Sequence, residues 1–205
     1  MHQPLIRRLL STTVAAALFT LAGSASAYSG LVVFGDSLSD GGNIAALIGT
    51  DPDQVITGND YIPSAPYASG TFSDGATWVN GLASQLGVVA GPSMTGGSNY
   101  AFGGATTSGG LSPSMVVQVG MYLDDVGGIA ASDSLFVLAG GGNNARAALE
   151  AVLAGEPIVR TAISTAITFA RDVGNMVDTL QAAGAVDIVV WNAPNLGLTP
   201  AVGGG

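Results

Sequence analysis

The run Phe34-Gly35-Asp36-Ser37-Leu38-Ser39-Asp40 sets a serine hydroxyl among small and acidic residues, directly after the apolar run Leu31-Val32-Val33. A short, wholly apolar run reads as a buried strand. A serine just past a strand end is where α/β enzymes hold a nucleophile. Acyl transfer also needs a base and donors for the negative charge that develops on the carbonyl oxygen. Three donors are expected. The Ser37 N–H should lie at a helix start, where amides have no intrahelical acceptor. Gly104, in the turn Gly103-Gly104, can bring its N–H to a ligand with no Cβ in the way. The Asn143 carboxamide follows a second apolar run. The base is harder to find. The only histidine in the 205 residues is His2. Asp60 and Asp74, in a long polar loop, are poor substitutes, because a carboxyl group of pKa about 4 is a weak base toward a hydroxyl.

Each of these residues also has a purely structural reading. Asp36, Ser37, Ser39 and Asn143 are all good helix caps, and glycine turns are common in a chain with 31 glycines. Capping alone does not require this set at successive strand ends. The elements that must position it can be read from hydrophobic spacing. Strands are expected at Leu31 to Phe34, Ser134 to Ala139 and Asp187 to Trp191, all buried, with a short one at Tyr100-Ala101-Phe102. Helices are expected from Asp36 or Ser39 through Leu47, over Ala76 to Leu86 with Gly87 as its stop, over Met115 to Leu123, from about Ala145, and from Glu156-Pro157 to about Ala183. Gly49 to Asp74 is a loop long enough to expect a functional role. Tyr61, Tyr67 and Phe72 within it either line an apolar groove or pin the loop to the core.

Apolar strands alternating with helices imply a parallel sheet covered on both faces. Ligands gather at the carboxyl ends of such strands. The loops of Ser37, Gly104, Asn143 and Asn192 all follow strand ends, so topology brings them to one edge of the sheet.

Composition narrows the setting. Arg7-Arg8, the apolar stretch Leu9 to Ala22 and the small residues Ser24 to Ala27 read as a secretory signal peptide over residues 1–27. Its apolar part is short of the roughly 20 residues of a membrane-spanning helix. Export is therefore expected, to the periplasm, the outer membrane or the medium. Without cysteine, neither disulfides nor a Cys metal site is available, and no metal or other cofactor is expected. Beyond the leader, three arginines remain against fourteen acids, a formal charge of −11. Such a charge opposes binding to nucleic acid or an anionic membrane surface.

Gly35-Asp36-Ser37-Leu38-Ser39-Asp40 resembles the signature of the GDSL branch of the SGNH hydrolases. Asn99 to Thr106 resembles that family's second block, with Gly104 at the oxyanion position. Gly141-Gly142-Asn143-Asn144 resembles the third, with Asn143 on the oxyanion asparagine. Asn144 stands where that block has Asp, an exchange that bears on a supporting hydrogen bond rather than on the donor. Tyr67 to Gly87 and Trp191 to Pro200 also resemble the secreted bacterial branch. The resemblance covers most of residues 28–200. It implies a three-layer α/β/α fold around a parallel sheet (SGNH/flavodoxin-like), here a partial domain over residues 28–205 with the last strand or strands and a helix missing. It further implies hydrolysis of acyl esters, lipids or acetylated sugars, with Ser37, Gly104 and Asn143 as catalytic residues. The Gly-x-Ser-x-Gly elbow of the other large lipase fold is absent, since Ser39 occupies its last position.

The family's Asp-x-x-His, which supplies the base, has no counterpart in these residues. An incomplete chain is the simplest explanation and a non-catalytic binding or surface protein the second. A third possibility is a larger protein in which this domain is the passenger of a membrane barrel or is tethered by a C-terminal tail; membrane contact is expected only through such a part. Removing the histidine of a serine hydrolase costs about 10⁶ in kcat, roughly 8 kcal/mol of barrier, so this chain is expected to be nearly inactive alone.

Overall fold

The computed structural model describes residues 27–53, 63, 65–193, 195 and 198; the expected leader lies outside them. Three parallel strands form a sheet in the order β1 (Gly30–Gly35), β2 (Ser134–Ala139), β3 (Asp187–Val190). Val33 pairs with Val137, and Val137 with Val189. The helices are α1 (Asn43–Ile48), α2 (Trp78–Leu86), α3 (Met115–Asp125), α4 (Gly142–Leu153) and α5 (Ile158–Ala182).

Side chains alternate across a strand, and the two faces of β1 accordingly serve two cores. Val32 and Phe34 pack with Phe136 and Leu138 against Met115, Val119 and Tyr122 of α3 and Met176 and Leu180 of α5. Leu31 and Val33 pack with Leu135 and Val137 against Val79 and Ala83 of α2. This is the three-layer α/β/α arrangement expected, with β1 and β2 buried on both faces. Gly87 (φ 69°) ends α2 in the left-handed conformation, and Pro157 precedes α5.

Four expectations are corrected. The helix after Ser37 starts only at Asn43, because residues 37–39 form a single turn and the side chain that receives the next helix is that of Asp40, not Asp36 or Ser39. The Tyr100–Phe102 segment lies against β1 through Tyr100 N–H to Val33 O (2.7 Å) and Phe102 N–H to Gly35 O (3.2 Å), but only isolated bridges form and it is not a strand of the sheet. Asn143 and Asn144 lie within the first turn of α4 rather than before it. β3 is not buried: the outer edge of β1 is covered by the 98–102 segment, whereas on β3, the other outer strand, Val189 is 39% and Val190 42% exposed. Between Gly49 and Asp74 the described residues contain no helix or strand; Asp60 and Tyr61 fall outside them.

Candidate active site

Gly35 closes β1 where no side chain would fit. A Cβ there would lie 2.4 Å from the Ala139 carbonyl oxygen. Gln118 of α3, fully buried, holds this glycine from both sides. Its Oε1 accepts the Gly35 N–H (2.8 Å) and its Nε2 donates to the Gly35 carbonyl (2.8 Å) and to Pro113 O (2.9 Å). The chain then turns through Ser37 to Ser39, with the N–H groups of Ser39 and Asp40 both donating to Asp36 O. Among the described residues, neither the N–H nor the hydroxyl of Ser37 has a hydrogen-bond partner.

Asp40 is the anchor of the site. Its Oδ1 accepts the N–H groups of Gly42 and Asn43 (2.8 and 2.7 Å), and its Oδ2 those of Ile44 and Gly103 (3.3 and 2.9 Å). One carboxylate thus starts α1 and ties the glycine turn to the serine turn. Burial pushes its pKa up, and these four amides oppose the shift. Asn43, also fully buried, donates to Asn99 O and Ala101 O (2.8 and 2.9 Å). Asn99 Nδ2 in turn donates to Ser39 O (2.7 Å). Polar residues after a strand are visible in the sequence. Which of them would be buried clamps is not, because the partners of Asp40, Asn43 and Gln118 lie fifty or more residues away or belong to backbone.

Gly104 has φ 78°, a conformation that favours glycine, and among the described residues its N–H is also unpartnered. A Cβ on Gly103 would strike the Phe72 ring at 2.3 Å, so Phe72 packs on the turn and the long loop is pinned here. At α4, Asn143 Nδ2 donates one hydrogen to Ala105 O (2.8 Å); a carboxamide nitrogen carries two. Asn144 bonds to the loop beyond the glycine turn: Oδ1 accepts the Thr107 N–H (3.0 Å) and Nδ2 donates to Thr107 Oγ1 (2.9 Å).

Ser37, Gly104 and Asn143 line one cavity of about 580 Å³. Its walls are largely apolar: Leu38, Ile44, Leu47, Ile48, Phe72 and Leu111. Arg146, one helical turn beyond Asn143, is the cation in its lining, and its Nε lies 3.3 Å from Glu150 Oε1. Asp74 is exposed and not part of the lining. Asp36 belongs to a separate cavity of about 130 Å³ together with Trp191 and Asn192. Its carboxylate accepts the Leu38 N–H (3.1 Å), and burial raises its pKa above the ordinary 3.8. Trp191 packs against Trp78 at 4.4 Å between ring centres with the rings tilted 36°, and Trp78 Nε1 donates to Ser39 Oγ (3.1 Å). The Asn192 loop therefore does reach the serine turn. Among the described residues no group of His, Cys, Asp or Glu is arranged to hold a metal ion.

The serine turn follows β1, Asn143 follows β2, and the glycine turn is tied to the serine turn through Asp40. Residues 31–203 match the model of the GDSL-like Lipase/Acylhydrolase family, and the chain belongs to that family. Among curated relatives, "Lipase 1" of Photorhabdus luminescens is 32% identical over 87% of this chain and 24% of that protein. A Pseudomonas putida protein described as "Uncharacterized protein in trpE-trpG intergenic region" is 32% identical over 96% of this chain and 33% of its own length. "Acetylajmalan esterase 2" of Rauvolfia serpentina is 32% identical over 53% of this chain and 33% of its own length. The chain spans about a quarter to a third of these relatives.

Proposed function

We propose that this chain carries the nucleophile and oxyanion site of an exported serine hydrolase acting on carboxylic esters with an apolar acyl group. The observation that supports it is the shared cavity of Ser37, Gly104 and Asn143, with the Ser37 and Gly104 amides free of partners among the described residues. In this reading Ser37 Oγ attacks the ester carbonyl and its proton passes to a base. The oxygen that becomes negative is met by the N–H groups of Ser37 and Gly104 and by the second Asn143 Nδ2 hydrogen. Collapse expels the alcohol, which takes the proton, and water then hydrolyses the acyl-serine. An oxyanion site alone leaves about 10³–10⁴ over water. The six apolar wall residues favour an aliphatic acyl chain over an acetylated sugar. Export rests on the leader at residues 1–27.

The absent base makes the test specific. Imidazole in the buffer supplies the missing group. Hydrolysis of a p-nitrophenyl alkanoate should rise with imidazole concentration, and the increment over imidazole alone should vanish in Ser37→Ala. An increment that survives Ser37→Ala, or none in the native chain, would refute the hydrolase reading. The latter result would favour the second reading, a non-catalytic exported binding protein.

A further inference from the structure

Thr107 is fully buried, and its hydroxyl has one proton to give. It gives it to Asp172 Oδ2 of α5 at 2.7 Å, and Ser108 Oγ donates to the same oxygen at 2.5 Å. A carboxylate only accepts, so Asp172 fixes the direction of everything behind it. Thr107 Oγ1 can then accept only from Asn144 Nδ2, and this turns Asn144 Oδ1 to the Thr107 N–H. The carbonyls of Thr106 and Thr107 accept the N–H groups of Met115 and Val116 at the start of α3. Residues 105–108 are thereby held between α3, α4 and α5, and Asn143 reaches Ala105 O across the same gap.

We propose that Asp172 is a positioning residue of the acyl-transfer site: through Thr107 and Asn144 it sets the spacing between the Gly104 amide and the Asn143 carboxamide. Asp172 lies 28 residues beyond Asn144, on a helix absent from the cavity lining. It touches neither Ser37 nor the cavity, so its effect is on the arrangement of donors and not on substrate contact. Donors of an oxyanion are useful only when already placed, and a misplacement of about 1 Å costs about 10² in rate.

This inference rests on the acyl-transfer reading, and two readouts separate them. The first is hydrogen exchange of the full chain. Asp172→Ala and Thr107→Val should speed exchange of the 103–108 amides at least tenfold and leave the α2 amides unchanged, while Thr107→Ser, which keeps the hydroxyl, should match the native chain. The second is imidazole-dependent hydrolysis. Asp172→Ala and Thr107→Val should lower kcat about 10- to 100-fold with KM within twofold, and Thr107→Ser should restore it. Unchanged exchange in Asp172→Ala overturns the proposal whether or not the chain turns over. Faster exchange with unchanged kcat overturns it as well, reducing Asp172 to a packing contact. A native chain with no Ser37-dependent turnover sinks the hydrolase reading instead, and exchange still decides whether Asp172 sets the loop.

Discussion

Val33, Val137 and Val189 stand in one row across the sheet, yet the first two are 0% and 1% exposed and the third is 39% exposed. Identical side chains on identical backbone meet different environments because β1 and β2 have core clusters on both faces, and the 98–102 segment covers the outer edge of β1, while Val189 belongs to neither cluster. The closed half of the sheet also carries the buried polar clamps Asp40, Asn43, Asn99 and Gln118. Polar groups buried with every partner supplied fix one arrangement, since any slip leaves them unpaired at high cost. The β3 half has neither feature. Val186, Val190 and Trp191 beside it are exposed, as are Ile158, Ile163 and Ile167 on the first half of α5. The candidate site is on the closed side, where buried hydrogen bonds can hold donors before a substrate arrives.

That contrast can be broken in four ways. Phe136→Ala empties a fully buried position between α3 and the sheet and should cost about 3–5 kcal/mol by urea unfolding. Asp40→Asn turns one accepting oxygen into a donor facing two N–H groups. It should cost about 2–4 kcal/mol and lower Ser37-dependent turnover in the imidazole assay. A loss confined to stability would show that Asp40 holds α1 and not the glycine turn. Val137→Ala should cost about 2 kcal/mol and Val189→Ala less than about 1, since two methyl groups leave a sealed core in one case and a half-wet edge in the other. Equal losses would remove the distinction between the halves. On the open side, Val190→Lys should shift stability by less than about 0.5 kcal/mol while reducing concentration-dependent association in sedimentation, because exposed strand edges pair with other chains.

The smallest effect is one of pH. Burial raises the pKa of Asp36 and Asp40 above the ordinary 3.8. Above pH 3.8 the unfolded chain has released protons that the folded chain still holds. Stability from these two groups therefore falls as pH rises, until the folded carboxyls have ionised as well. The urea midpoint should drop between pH 4 and pH 7, and Asp36→Asn should make the drop shallower. The same drop in both proteins would mean that Asp36 has no part in it.

Much of this was legible before any coordinates. Runs such as Ser134 to Ala139 are strands in any context that buries them, and Gly87 and Pro157 mark a helix end and a helix start by backbone constraint alone. The order of serine and asparagine after β1 and β2 sufficed to expect one shared edge, because parallel strands present the same end; Gly104 follows no strand of the sheet, and its turn is tied to that edge through Asp40. Tertiary structure decided what depends on distant partners. Asp36, Ser39 and Asp40 are all good caps in sequence, and the turn over residues 37–39 delays the helix to Asn43, where Asp40 receives the Gly42, Asn43 and Ile44 amides and, from far along the chain, that of Gly103. Asp187 to Trp191 reads as apolar, and apolar residues form strands whether or not a helix covers them, so its exposure had no local signal. Asp172 looks like any acid on an amphipathic helix. Its place behind Thr107 follows from how α5 packs across the loop, and periodicity carries no information about that contact.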